Sequence, residues 1–237
     1  MISVHGLRKS FGKLEVLKGV EATFPRGRIT ALVGPNGSGK TTLIKAILGL
    51  SQPDGGSIRV SDHRLNGDWR YRAAIGYMPQ IPPLPENLSA AELFQMLGDL
   101  RRSDVRPDGE LIDRFGLEDQ LQRPLRTLSG GTRQKVNAVM AFTFDPDILI
   151  LDEPTAGLDP LAARYLKDRV RREREAGKTI IVTSHVLSEL QELADCVVFL
   201  LEGSVRFTGS AAELLAHTGA DSLEGAVAEL MMAGVGS

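Results

Sequence analysis

The sequence of 237 residues has one cysteine, few aromatic side chains, no long apolar run and almost no net charge. The single cysteine, Cys196, excludes an internal disulfide and a zinc site built from several cysteines. The longest apolar runs, such as residues 196–201, are far shorter than the ~20 residues of a membrane-spanning helix. The first residues, MISVHGLRKSF, lack the apolar core of a secretory signal peptide.

Charge gives no indication of a polyanionic partner. The chain has 28 basic and 30 acidic residues, so its formal net charge is −2. A balance this even offers no electrostatic support for binding nucleic acid or an anionic membrane surface. We therefore expect no nucleic-acid partner, and we expect a soluble protein of a reducing compartment.

The composition that remains is that of an ordinary globular protein, 42% hydrophobic and 24% charged, and can supply a sizeable core. Short apolar runs alternate with helical stretches, and such runs are typical of parallel strands covered on both faces. The first thirty residues, broken by glycines and a proline, predict a small antiparallel sheet. Together these patterns predict an α/β fold with buried strands over residues 29–33, 75–78, 148–151, 179–183 and 196–201.

Helical stretches separate these strands. Helices are predicted over residues 40–50 and 161–176. Residues 81–127 open with a proline cluster and then become helical and charged, so we interpret them as a helical insertion between two strands. Near the end of the chain, Ser210 and Glu213 have the spacing of a capping box, which predicts the start of one or two final helices.

The strongest motif is GPNGSGKT, which matches the phosphate-loop pattern G-x-x-x-x-G-K-[ST]. It follows a predicted strand and opens a predicted helix, so backbone N–H groups and the helix N-terminus can surround phosphate oxygens. Lys40 would reach the β- and γ-phosphates, and the Thr41 hydroxyl would ligate Mg²⁺. The motif predicts a nucleotide site formed by Gly34, Pro35, Asn36, Gly37, Ser38, Gly39, Lys40, Thr41 and Thr42.

A second motif ends the predicted strand ILIL with two adjacent carboxylates, Asp152 and Glu153. A strand that ends at the ligand edge of a parallel sheet delivers its next residues to bound phosphates. Asp152 would hold Mg²⁺ directly or through water, and Glu153 would orient and deprotonate the attacking water. On its own this pattern is more often a solvated sheet edge, and the phosphate loop favours the catalytic interpretation.

A third motif, LSGGTRQK, is a Ser-Gly-Gly helix start and therefore a second candidate anion-binding N-terminus. Its Ser129 lies 23 residues before Asp152 and 89 after Lys40. With these motifs in this order, the chain resembles the ATP-binding subunits of ABC transporters, whose signature motif is LSGGQ. Thr132 stands where the family usually has Gln, whereas Ser129 and Gly131, which would face a γ-phosphate, are intact.

The resemblance implies a fold and a domain organisation. It predicts a P-loop NTPase cassette over residues 1–215, with a parallel core sheet and an N-terminal antiparallel β subdomain. A helical subdomain is expected at about residues 81–145, and a C-terminal helical extension over residues 216–237. ATP and Mg²⁺ are the implied cofactors, and ATP hydrolysis is the implied reaction.

The resemblance also implies roles for single residues. Gln80 in YMPQ matches the Q-loop glutamine, which senses Mg²⁺ and the membrane partner, and His185 matches the switch histidine that contacts the γ-phosphate. Phe11 stands where the family places an aromatic that stacks on adenine. The implied catalytic residues are Lys40, Glu153 and His185; the implied Mg²⁺ ligands are Thr41, Gln80 and Asp152; the further nucleotide contacts are Phe11, Gln80, Ser129, Gly130, Gly131 and the D-loop residue Asp159.

The implied partners follow from how the family assembles. The chain has one phosphate loop and one signature segment, and in the family the signature of one subunit covers the nucleotide of another. The resemblance therefore implies a head-to-tail homodimer with two ATPs, which drives a separate transmembrane permease docked beside Gln80. It implies a cytoplasmic protein, peripheral on the inner face of the cell membrane.

Within the family, residues 77–81 and 129–136 are most similar to the ATPase of the copper-processing transporter for nitrous oxide reductase assembly, which would add a periplasmic partner. An exporter of drugs, lipids or peptides is the alternative. Soluble ATPases that act on DNA or ribosomes are less favoured. The former separate phosphate loop and signature by long coiled coils, and the latter usually carry two cassettes in one chain.

Overall fold

The computed structural model describes residues 1–61, 63–65, 67–102 and 107–235, with side chains up to residue 232. Its strands are β1 (Ile2–Phe11), β2 (Leu14–Phe24), β3 (Arg28–Val33), β4 (Gly55–Val60), β5 (His63–Arg64), β6 (Ile75–Met78), β7 (Ile148–Asp152), β8 (Thr179–Thr183), β9 (Cys196–Leu201) and β10 (Ser204–Ser210). Its α-helices are α1 (Lys40–Ile47), α2 (Ala90–Arg101), α3 (Gly109–Phe115), α4 (Gly130–Phe142), α5 (Pro160–Glu175), α6 (Leu187–Leu193), α7 (Ala211–Thr218) and α8 (Leu223–Val235). The chain forms two compact units, one of residues 1–72 with 179–237 and one of residues 73–178.

The first unit contains an antiparallel sheet of strand order β2-β1-β4-β5. Apolar residues alternate along its strands, for example Ile2 and Val4 in β1, and these side chains are fully buried. The predicted antiparallel sheet is confirmed. Strand β4 adds to it although its sequence, GGSIRV, was not predicted as a strand, because only Ile58 and Val60 carry the alternation.

The first unit also contains a set of mainly parallel strands. β3 pairs in parallel with β8 on one side and with β9 on the other, while β10 pairs antiparallel with β9. Almost every residue of β3, β8 and β9 is buried, which explains why these strands appear in the sequence as continuous apolar runs. Because β3 and β8 are parallel, the residues that follow them emerge at one edge.

The second unit contains the parallel pair β6 and β7 with α2, α3, α4 and α5. Helix α4 lies directly on β6, since a Cβ added at Gly76 would lie only 2.0 Å from the carbonyl oxygen of Ala141. The register places Met78 opposite Leu151, so the segments that follow β6 and β7 also emerge at one edge.

Ion pairs join α3 and α5 within the second unit. Arg169 in α5 pairs with Asp108, the N-cap of α3, at 2.9 Å and with the buried Glu173 at 2.6 Å. Lys178 pairs with the other carboxylate oxygen of Glu173 at 2.5 Å. Burial of a carboxylate is costly unless it is paired, so these two cations offset the cost of burying Glu173.

The predicted helices are present with small differences in length. The helix predicted over 40–50 ends at Ile47, and the helix predicted over 161–176 is α5. The capping box at the start of α7 is formed by reciprocal bonds: the N–H of Glu213 donates to Ser210 Oγ, and the N–H of Ser210 donates to Glu213 Oε2. Helices α2, α3 and α4 lie inside the expected helical subdomain of residues 81–145, whose bounds remain a prediction, and the expected boundary at 215 falls inside α7. Among the described residues, no helix combines the length and apolar character needed to cross a bilayer.

Candidate nucleotide site

The phosphate loop turns sharply from β3 into α1 at positions where only glycine fits. A Cβ added at Gly34 would lie 2.1 Å from the carbonyl oxygen of Leu200 and 2.7 Å from Ser38 Oγ. Gly39, the N-cap of α1, has φ +108°, and a Cβ there would approach Leu17 at 2.9 Å. These close approaches shape the backbone of the loop before any ligand binds.

The polar groups of this loop fit a phosphate ligand. Lys40 Nζ donates to the carbonyl oxygens of Gly34 at 2.6 Å and Pro35 at 3.0 Å, so the ammonium lies over its own loop. Ser38 is 2% exposed, and its hydroxyl has no hydrogen-bond partner among the described residues. No side chain of residues 1–61, 63–65, 67–102 or 107–232 caps the N-terminus of α1. Helix N–H groups without a cap and a buried hydroxyl without a partner are the donors that phosphate oxygens accept from.

The first unit contains two more of the predicted residues. His185 is exposed and comes two residues after β8. It therefore lies at the sheet edge where Gly34 follows the parallel strand β3. Phe11 ends β1 on the antiparallel sheet, is 54% exposed, and has Lys9 Nζ 5.4 Å from its ring centroid. An exposed aromatic face of this kind is available for stacking on a base.

The second unit brings Gln80 and the two carboxylates to one edge. Gln80 is exposed two residues after β6. Asp152 ends the neighbouring β7 and Glu153 follows it, and they are only 9% and 7% exposed. Glu153 has φ +53°, a left-handed conformation that is uncommon outside glycine and that clusters at functional sites. Burial, with a further contribution from the Asp152 carboxylate, raises the pKa of Tyr77 to about 12, so its hydroxyl stays neutral at physiological pH.

The signature segment forms the N-terminus of α4. Ser129 is the N-cap: its Oγ accepts the N–H of Thr132 at 3.1 Å and shares a 2.8 Å hydrogen bond with the Thr132 hydroxyl. Ser129 and Gly130 are both exposed. The residue that departs from the family pattern, Thr132, thus contacts the serine expected to face a phosphate.

The D-loop, residues 157–160, lies against this helix start. Asp159 caps α5, with Oδ1 accepting the N–H of Ala162 at 2.9 Å, while Oδ2 pairs with Lys135 Nζ at 2.8 Å. The hydrogen bonds from Lys135 and then from Ala162 lower the pKa of Asp159. A Cβ at Gly131 would lie 2.8 Å from the Gly157 carbonyl oxygen. The sequence analysis did not predict a role for Lys135. The signal was that Lys135 is one of few charged residues on the predicted helix after the signature segment.

The fit for Mg²⁺ depends on the nucleotide. Within the described ranges, no group of three or more His, Cys, Asp and Glu side chains is arranged to hold a metal by itself. Magnesium in nucleotide sites takes one or two protein ligands together with phosphate oxygens and waters. The hydroxyl of the exposed Thr41 and the carboxylate of Asp152 are donors of the kind that such a site uses.

Comparison with known proteins agrees with the motifs. Residues 17–156 match the family described as ABC transporter. The chain is 36% identical over 229 residues to the daunorubicin resistance ATP-binding protein DrrA3 of Streptomyces coeruleorubidus, covering 94% of this chain and 72% of that protein. It is 36% identical over 211 residues to the lantibiotic transport ATP-binding protein SrtF of Streptococcus pyogenes, covering 86% and 89%.

The fold also matches that of a solved member of this family. A solved ATP-binding subunit of an ABC transporter superposes with a TM-score of 0.92 at 33% identity, covering 98% of this chain and 99% of that structure. The α/β cassette predicted from the sequence is therefore confirmed, and ATP hydrolysis is the reaction of its family. From its phosphate loop, signature segment and fold, this chain belongs to the ABC transporter family, as an ATP-binding and ATP-hydrolysing subunit.

Proposed function

We propose that the chain hydrolyses ATP as one of two identical subunits arranged head to tail, and that this cycle powers a separate membrane permease. The observation that carries the proposal is the exposed N-terminus of α4. Ser129 and Gly130 face solvent there at a helix start suited to an anion. A signature segment with this exposure can receive the γ-phosphate of an ATP bound to a second chain.

The proposal assigns the following roles to the main site residues. Lys40 exchanges its loop carbonyls for phosphate oxygens, and the Phe11 ring stacks on the adenine. Bound Mg²⁺ would supply charge neutralisation on the phosphates, with Thr41, Gln80 and Asp152 as its protein ligands. Glu153, buried and held in a left-handed turn, orients the attacking water and accepts its proton.

The test is the dependence of ATPase activity on protein concentration. If two chains form each site, the specific activity rises with concentration, and Ser129→Arg abolishes it because the larger cation blocks the phosphate face. Gln122→Arg is the matched control, since it adds the same charge at another exposed position of the same unit. Turnover by a demonstrated monomer, independent of concentration, would contradict the proposal.

We further propose an export function at the cytoplasmic face of the membrane, reached through the permease. The relatives named for daunorubicin resistance and lantibiotic transport support a drug or peptide cargo. Residues 77–81 and 129–136 support the second candidate, copper processing for nitrous oxide reductase with a periplasmic partner. In either case the cargo would be recognised by the membrane partner.

Deletion of the gene in its host separates the two candidates. The copper content and activity of purified nitrous oxide reductase are measured beside sensitivity to amphiphilic drugs and lantibiotic peptides. A fully copper-loaded reductase with increased sensitivity supports export. A copper-deficient reductase with unchanged sensitivity supports copper processing.

A further inference from the structure

Helix α4 contacts the segment around Gln80 through a buried amide that the roles above do not use. Asn137 is 2% exposed, and its Nδ2 donates to the carbonyl oxygen of Pro79 at 2.9 Å. The same Nδ2 lies 3.3 Å from Oε1 of Gln134, one turn earlier on the helix. These two acceptors fix the orientation of the Asn137 amide. If the amide were flipped, its Oδ1 would be repelled by the Pro79 carbonyl oxygen and by Gln134 Oε1.

This bond continues a close contact between α4 and β6. At Gly76, within β6, the helix is so near that only a glycine fits, against the carbonyl oxygen of Ala141. β6 ends at Met78, and Pro79, which has no N–H of its own, is the residue between the strand and Gln80. The amide of Asn137 therefore holds the backbone where the sheet hydrogen bonds of β6 have ended.

The arrangement links two parts of the nucleotide site. Ser129 caps the N-terminus of α4, and Asn137 lies about two turns later on the same helix. A hydrogen bond in a dry interior is strong, and removal of one partner leaves the other buried and unsatisfied. A displacement of α4 is therefore transmitted to Pro79 and to Gln80 next to it.

We propose that Asn137 is a positioning residue that makes Gln80 and the signature serine Ser129 move as one body. The inference rests on the proposed function, in which Gln80 meets Mg²⁺ and the permease. It adds that the position of Gln80 is set from α4 through one amide.

The test compares Asn137→Asp, which keeps the shape and removes the donor, with Thr143→Val. Thr143 is also buried and donates to the Val139 carbonyl oxygen at 2.7 Å, at the far end of α4. ATPase activity is measured against Mg²⁺ concentration for both variants, for Gln80→Ala and for Gln80→Ala with Asn137→Asp. Amide hydrogen exchange at Gln80 and Ile81 is measured without nucleotide.

We expect Asn137→Asp to raise the half-saturating Mg²⁺ concentration about three- to tenfold, the effect of one lost hydrogen bond. Exchange at Gln80 and Ile81 accelerates, whereas Thr143→Val changes neither quantity. The half-saturating Mg²⁺ concentration of the double variant is no higher than that of Gln80→Ala alone, because Asn137 acts through Gln80. If Asn137→Asp does not fold, Asn137→Ala has the same expectations.

Wild-type Mg²⁺ dependence and unchanged exchange in Asn137→Asp would overturn the inference, as would losses that multiply in the double variant. Failure of the proposed function has a different signature, namely a wild-type chain without ATPase activity or an active Ser129→Arg. The exchange measurement decides the positioning role in that case as well, since it needs no hydrolysis.

Discussion

Lys135 and Asp159 form an ion pair, with Nζ 2.8 Å from Oδ2, that joins α4 to the N-terminus of α5. The other carboxylate oxygen of Asp159 caps α5. A second contact nearby, between Gly131 and the Gly157 carbonyl oxygen, is so close that a Cβ would reach 2.8 Å. These two contacts therefore join the signature segment and the D-loop of one chain into a single surface.

This ion pair predicts a specific dependence of stability on pH. Lys135→Met should lower the free energy of unfolding at neutral pH by at most about 1 kcal/mol, the range for exposed pairs. Hydrogen bonds from Lys135 and Ala162 lower the pKa of Asp159 below its ordinary 3.8. A group with a lowered folded-state pKa stabilises the fold above its unfolded-state pKa and loses that contribution as pH falls through the folded value.

Urea denaturation of wild type and Lys135→Met between pH 7 and pH 3 measures this effect. The difference between them should be largest at neutral pH and shrink below about pH 4, where Asp159 takes up a proton. It should also shrink in high salt, because exposed charges are screened. A difference that grows on acidification would show that the pair is not what stabilises the wild type.

The two carboxylates at the end of β7 should respond differently to isosteric substitution. Glu153→Gln keeps the side-chain shape but removes the base, so ATP binding is retained and hydrolysis slows by about 10²–10⁴-fold. Asp152→Asn should instead weaken the Mg²⁺-dependent part of ATP binding. ATP affinity is measured by equilibrium titration with and without Mg²⁺, and turnover by phosphate release.

Size-exclusion chromatography in ATP adds a second measurement on the same variants. Glu153→Gln should elute as a stable dimer, since the nucleotide that joins the chains is no longer consumed. Asp152→Asn should remain largely monomeric. Wild-type turnover in Glu153→Gln would show that another group activates the water.

The adjacent glycines at the start of α4 provide a matched pair. In the part of the chain that the structure describes, a Cβ added at Gly130 meets no atom within 4 Å beyond its chain neighbours and its own helix backbone. The Cβ of an alanine at position 131 would lie 2.8 Å from the Gly157 carbonyl oxygen. Gly130→Ala should leave the free energy of unfolding unchanged or raise it by up to about 1 kcal/mol. Gly131→Ala should lower it by about 1–3 kcal/mol. Thermal unfolding of both variants shows which is less stable. Equal stabilities would contradict the close contact between Gly131 and the Gly157 carbonyl oxygen.

Local pattern was sufficient to predict much of the fold. Continuous apolar runs predicted the buried strands, and β6 and β8 have the predicted bounds, 75–78 and 179–183. Strand β4 was missed because a Gly-Gly start with two alternating apolar residues is a weak local signal, and its pairing with β1 depends on tertiary context.

The motifs predicted where the site residues lie along the chain but not what holds them. The contacts of Asn137 with Pro79 and of Lys135 with Asp159 join residues 58 and 24 positions apart. No local rule links such positions. Asn137 was nevertheless visible as a polar residue within the apolar run VNAVMAF, where a buried amide requires a partner.

The central claim, that two chains complete each ATP site, is tested most directly by mixing two inactive variants. Lys40→Ala removes the phosphate-loop cation and Ser129→Arg blocks the signature, so each variant alone should lack ATPase activity. In a head-to-tail dimer that contains one chain of each variant, one ATP site has both defects and the other ATP site has neither. The account predicts that an equimolar mixture regains ATPase activity, up to about a quarter of wild type for random pairing. A mixture no more active than its separate components, together with wild-type specific activity that does not change on dilution, would contradict it.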